Sequence, residues 1–255
     1  MATSGGNYII KLIKKIVMKI EQQMNQLRLH GMSSGYQALS ESRSHQELSL
    51  NEGLEVLLQA ELQDRKNKRF ERLRKAARFR YQASVEELYT DTSRGLDKDL
   101  LTKLIANDYI QKGESVLITG ATGCGKSFLA SALGHHACAQ GHKVLYFNLQ
   151  KLLLKTKMSR AEGTIHKTFE QLSKADLLIL DDFGLMHLEG QQQLDVMELI
   201  EDRHGESATI VTSQLPVASW FDVISEATIA DAIIDRLIYS SYRIELKGEN
   251  LRKKK

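Results

Sequence analysis

The chain is poor in the residues that would hold a fold together from outside a packed core. Only Cys124 and Cys138 are cysteines among 255 residues, too few for a disulfide framework, and this composition suits a reducing cytoplasm. The single proline, Pro216, ends an apolar run, and there is no low-complexity tract or internal repeat. No apolar stretch approaches the ~20 residues that a membrane helix needs. Lysines interrupt Tyr8–Val17, so this segment does not read as a secretory signal. The eight histidines show no ligand spacing with cysteine or acid partners, so no structural metal is expected. The length allows one large or two small domains with a core of their own.

What is present is an octapeptide, Gly120-Ala121-Thr122-Gly123-Cys124-Gly125-Lys126-Ser127, which fits Gly-x-x-x-x-Gly-Lys-Ser/Thr at every fixed position. Ser115–Thr119 before it reads as a buried strand. Phe128, Leu129, Ala132 and Leu133 after it keep helical spacing up to Gly141. The chemistry needs these residue types. Glycines let the backbone curl its N–H groups toward phosphates, and the helix presents its positive end to the same anion. Lys126 is expected against the β- and γ-phosphates and the Ser127 hydroxyl on Mg²⁺, with residues 120–128, Phe128 included, as the ATP-binding stretch. Cys124 fills a variable position of the loop.

Asp176–Asp182 is an apolar strand ending in two carboxylates. Ligands gather at the carboxyl ends of strands in open α/β sheets, which places Asp181 and Asp182 in the crevice of Lys126. Asp181 is the expected outer ligand of Mg²⁺, and Asp182 the group that orients or deprotonates the attacking water. An acidic N-cap at a strand-to-helix turn would look the same; the phosphate loop upstream favours catalysis. Strands are expected at 115–119, 143–148, 176–181, 208–213 and 242–246, alternating with helices, which implies a parallel five-stranded sheet. The strand 208–213 ends in Ser213 and Gln214, either of which could meet the γ-phosphate or the water. From the residues alone, Arg236 reads as an ion-pair partner of Asp235.

Charge is uneven. Residues 1–95 carry sixteen Lys/Arg against eleven Asp/Glu, whereas the rest carry nineteen against twenty-one. The excess peaks at 65–80, where nine cations face Glu71 alone. Arg65, Lys68, Arg69, Arg72, Arg74, Lys75, Arg78 and Arg80 are the candidate DNA contacts. A solvated face would interleave acids at i,i+4, and Glu71 is the single acid within the run. Without interleaved aromatic stacking, the pattern points to sequence-independent contact with duplex phosphates rather than to a membrane surface. Lys155, Lys157 and Arg160 are the alternative DNA site. The apolar line from Ile9 to Leu27 predicts a helix ending near Gly31. Ser49-Leu-Asn-Glu52 is a capping box opening a helix into the basic run, and Ser84-Val-Glu-Glu87 opens another. A helix is expected from Asp97 to about Tyr109. The expected organisation is a helical, basic N-terminal domain (1–90), a linker (91–96) and an ATPase core (97–255).

Together these segments resemble a AAA+ P-loop ATPase core, and more narrowly the IstB-type transposition helper ATPases, relatives of DnaC-type helicase loaders. The resemblance runs over nearly the whole chain, through the basic Phe70–Arg80 segment, Arg94-Gly95-Leu96-Asp97, Leu178–Gly184 and Arg243–Arg252. It implies a bacterial, nucleoid-associated ATPase that self-assembles on double-stranded DNA, prepares the target and activates a cognate transposase, with hydrolysis driving disassembly. It also implies that Arg236 is a finger reaching a neighbouring subunit's ATP and Gln214 a sensor. Many AAA+ proteins carry Glu where Asp182 stands, one methylene longer. The sequence ends just after the last strand, so the fold is expected to lack the C-terminal helical lid. A DnaC-like helicase loader is the alternative. A metabolic kinase would explain neither the basic region nor Arg236.

Overall fold

The computed structural model describes residues 19–42, 48–90 and 92–248. Two compact units divide between Glu71 and Arg72. In the first, residues 19–26 are helical, and α1 (His30–Ser42) is followed by α2 (Leu50–Ala77), within which the division falls. The capping box forms as expected: the Ser49 N–H donates to Glu52 Oε2 at 2.8 Å and the Glu52 N–H to Ser49 Oγ at 3.3 Å. Both helices approach closely at Gly31, where a Cβ would lie 2.5 Å from the Ala60 carbonyl. The N–H groups of Gly31 and Met32 donate to Glu61 Oε2, which satisfies the start of α1. Ile9–Ile16 of the expected first helix lie outside the described residues.

The second unit runs through α3 (Lys98–Ile105), α4 (Asp108–Gln111), β1 (Ser115–Gly120), α5 (Lys126–Ala139), β2 (Val144–Asn148), α6 (Leu149–Ala161), α7 (Ile165–Ser173), β3 (Leu177–Phe183), α8 (Gln191–Arg203), β4 (Ala208–Ser213), α9 (Ala227–Ile238) and β5 (Ser241–Leu246). The five strands form one sheet in the order β2-β3-β4-β1-β5, every pair parallel. Each falls within a residue or two of its expected bounds. Residues of β1, β3 and β4 are buried almost throughout, because helices cover both faces of a parallel sheet. Leu117, Leu178, Leu180 and Val211 from the sheet meet Leu152, Leu199 and Ile233 from α6, α8 and α9 in one core.

Three expectations need correction. The helix from Asp97 breaks at Asn107, whose φ of 62° no α-helix accommodates, so α3 and α4 are separate. Ser84–Glu87 caps only a single 3₁₀ turn, Val85–Glu87. Residues 92–96 are not a free linker and the units do not divide there. The Lys247 N–H donates to the Arg94 carbonyl at 2.9 Å, Leu96 is buried, and a Cβ on Gly95 would lie 1.9 Å from the Glu245 carbonyl. Buried Ala77 and Ala83 likewise tie the stretch before it into the second unit.

Candidate nucleotide-binding site

The phosphate loop leaves the carboxyl end of β1 and curls through Gly120, Gly123 and Gly125, with φ of 142°, 85° and 103°. At Gly120 a Cβ would also stand 2.2 Å from the Leu246 carbonyl, so glycine is required on both counts. Gly125 precedes Lys126, the first residue of α5. Lys126 is buried, and its Nζ donates to the Gly120 and Ala121 carbonyls at 2.8 and 2.9 Å, which holds the ammonium across the loop. Cys124 turns inward and is buried, so only its backbone is available to an anion. Arg94 donates to that residue's carbonyl at 3.2 Å.

Asp181 and Asp182 arrive on β3, beside β4. The register between these strands shifts between Leu180 and Phe183, and Asp182 takes a φ of 64°. Thr212 of β4 fills the gap: its hydroxyl donates to Asp181 Oδ1 and accepts the Asp182 N–H at 3.2 Å. Asp181 is fully buried and also receives Ser127 Oγ at 2.8 Å, the Tyr146 hydroxyl, and Arg80 Nη1 at 3.1 Å. Burial pushes its carboxyl up, but hydrogen bonds from Thr212, Tyr146, Ser127 and Arg80 outweigh this and hold it below the usual aspartate range. Burial and the bond to Asp181 push the Tyr146 hydroxyl upward, so it stays protonated as a donor. Asn148 Nδ2 donates to Asp182 Oδ2 at 2.9 Å. The next helix, α8, starts at Gln191 after Gly190, so neither carboxylate is its N-cap. Ser127 Oγ and Asp181 Oδ1 are adjacent hard oxygen donors, a set suited to Mg²⁺ with water and phosphate completing the shell. A cavity of about 640 Å³ runs along Lys126, Ser127, Asp182 and Gln214 to Tyr81, Phe128 and Leu185, within the size range of ligand sites.

The model of the IstB-like ATP binding protein family matches residues 22–255. The chain belongs to this family. An insertion-sequence ATP-binding protein of Sinorhizobium fredii is 40% identical over 230 residues, covering 90% of this chain and 93% of its relative. One from Pseudomonas fluorescens is 43% identical over 195 residues, covering 76% and 84%. Among solved structures, the DnaC helicase loader is similar with a TM-score of 0.56 and 18% identity over 65% of this chain and 97% of that one. AMPPCP-bound DnaA from Aquifex aeolicus gives 0.59 and 20%, over 68% and 52%. The fold is therefore the AAA+ P-loop NTPase core.

In this IstB-like chain the remaining candidates are dispersed. Gln214 follows β4 and its Oε1 accepts from Thr122 Oγ1 at 2.7 Å, which puts it on the phosphate loop. Arg236 pairs with Glu201 rather than Asp235, and also donates to the Ala232 carbonyl at 3.0 Å. It neighbours Ser115 and Thr209, at the opposite ends of β1 and β4 from the loop. Arg80 is not aligned with the basic helix but turned into the carboxylates. Acids do support the run, from one turn upstream: Glu61 pairs with Arg65 and Asp64 with Lys68, both at 2.7 Å. Arg74 donates to Gln82 Oε1 at 2.8 Å. In the core, Arg160 is paired with Asp195, while Lys155 lies over the Phe147 ring. Sequence reasoning missed Thr212, Tyr146, Asn148 and the role of Arg80. Asn148 was within its reach, since parallel pairing of the two expected strands sets it beside Asp181.

Proposed function

We propose that this protein is an ATP-hydrolysing helper of DNA transposition. In this reading it assembles with further copies on duplex DNA, prepares the target for its insertion sequence's transposase, and is released by hydrolysis. The observation that carries the reading is the convergence of Lys126, Ser127, Asp182 and Gln214 on one cavity, with buried Asp181 bonded to Ser127 behind it, in a member of an ATP-binding insertion-sequence family. Lys126 and the loop N–H groups bind the triphosphate, and Tyr81 and Phe128 offer an apolar wall to the base. Ser127 and Asp181 would hold Mg²⁺, which would neutralise charge on the phosphates. Asp182, kept in place by Asn148 and the bulge, orients the attacking water and accepts its proton. Arg236 serves a neighbour's site. The run from its strand end to its own loop is roughly 17 Å at the ~3.3 Å rise of a parallel strand, beyond the reach of an arginine.

Mixing variants tests the assembly. Lys126→Ala should lose nucleotide binding, and Arg236→Ala should bind ATP but hydrolyse it poorly. Mixed together, they should recover activity at interfaces that pair an intact Lys126 with an intact Arg236. No recovery at any ratio, with mixed assemblies verified by sizing, would refute action between subunits.

A further inference from the structure

Arg80 stands outside every nucleotide-binding motif in the sequence, yet its Nη1 lies 3.1 Å from Oδ2 of Asp181 and 3.1 Å from Oδ2 of Asp182. One nitrogen thus bridges both carboxylates. The placement is built rather than incidental, because its neighbours in sequence are pinned to the phosphate-loop helix α5. The Phe79 ring lies against Gly134, where a Cβ would come within 2.4 Å of it, and stacks on His135 with centroids 4.2 Å apart. On the other side, His135 Nε2 is 3.1 Å from the Tyr81 carbonyl. Small size at 134 and a ring at 135 therefore aim the residue between them.

We propose that Arg80 is the in-chain counter-ion of the Asp181–Asp182 pair, and that it sets how strongly nucleotide binding depends on a divalent cation. The proposal rests on the reading of this cavity as a Mg-ATP site. Adjacent carboxylates repel one another and repel a triphosphate. A guanidinium on Oδ2 compensates them, leaving the Oδ1–Ser127 side as the place where a metal ion fits. The same positive charge opposes a second cation nearby. Removing it therefore acts in two directions. Metal-free ATP meets unscreened carboxylates and binds more weakly, while a divalent cation meets uncompensated ones and binds more tightly. By linkage, the coupling between cation and nucleotide must rise.

The test is equilibrium binding of a fluorescent ATP analogue to the full chain, in EDTA and over a Mg²⁺ series, for the parent, Arg80→Gln and Arg80→Lys. Arg80 is 41% exposed, so neither change should disturb folding, which a melting curve checks. In Arg80→Gln the ratio of the Kd in EDTA to the Kd in saturating Mg²⁺ should rise about tenfold, the scale of one hydrogen bond between charged groups. The Mg²⁺ concentration for half-maximal effect should fall. Arg80→Lys keeps the charge and should stay near the parent. An unchanged ratio in Arg80→Gln would overturn the proposal. So would a falling ratio caused by lost Mg-ATP affinity, which would make Arg80 a phosphate ligand instead. If the ATP-site reading itself is wrong, the parent shows no saturable binding, or Lys126→Ala binds as well as the parent does.

Discussion

Thr212→Val tests whether one buried hydroxyl holds the catalytic end of β3 in place. The substitution conserves volume at a fully buried position, so packing changes little and the hydroxyl's two bonds are isolated. One is donated to the buried carboxylate of Asp181, and such a bond to a charged group contributes about 1.5–3 kcal/mol. The other accepts the Asp182 N–H, whose stranding at the bulge costs about 1–3 kcal/mol. Asp181 keeps Ser127, Tyr146 and Arg80, which moderates the first loss, so the total should be about 2–4 kcal/mol. For a unit of this size that corresponds to a melting point lower by roughly 4–16 °C. The loss should also depend on pH. Asp181 is held below the ordinary value of 3.8, so its contribution is present above that value and disappears as pH falls through the folded-state one. Removing a donor raises the folded-state value, so the gap between variant and parent should be largest near neutrality and shrink in acid. Urea unfolding at pH 7 and in acid measures both, and Thr212→Ser, which keeps the hydroxyl, should stay near the parent. A Thr212→Val protein within about 0.5 kcal/mol of the parent at pH 7, the ordinary range of a surface substitution, would refute this account of the bulge.

Asp182→Asn preserves shape and the contact with Asn148 but removes the proton acceptor. It should still bind Mg-ATP but turn over about 10²–10⁴-fold more slowly in a phosphate-release assay, the usual worth of a general base. Parental turnover would move the base elsewhere. For DNA, replacing Arg72, Lys75 and Arg78 with alanine should weaken binding to every duplex sequence alike. Each lost phosphate contact should reduce the log–log salt slope by about 0.9, and an unchanged slope would shift attention to Lys155 and its surroundings.

The phosphate loop was legible because it is local: glycines, lysine and serine at fixed spacing, between an apolar run and a helical one, satisfy their geometry within a few residues. Strands β1, β3 and β4 were legible for a related reason, since two-sided burial writes each as a near-continuous apolar run, whereas the edge strand β5 alternates buried Ile244 and Leu246 with exposed Arg243 and Glu245. The basic run was visible as composition, but not its termination. Nothing in Arg78–Arg80 announces that the last arginine leaves the helix and turns to a carboxylate 101 positions away in sequence. The acids that support the run, Glu61 and Asp64, precede it and stand at i,i+4 from Arg65 and Lys68, a spacing already written in the sequence.

The sequence by itself determined which backbone can wrap an anion, which segments must be buried, and which carboxylates lie at a strand end, because each depends on neighbours along the chain. Only the tertiary structure decided what stabilises those carboxylates. The strand order β2-β3-β4-β1-β5 puts Tyr146 and Asn148 on one side of β3 and Thr212 on the other. The packing of Phe79 on Gly134 delivers Arg80 to both acids. A buried charge must find its donors wherever the fold brings them, and hydrogen bonds reach about 3 Å regardless of how far apart the partners lie in the chain.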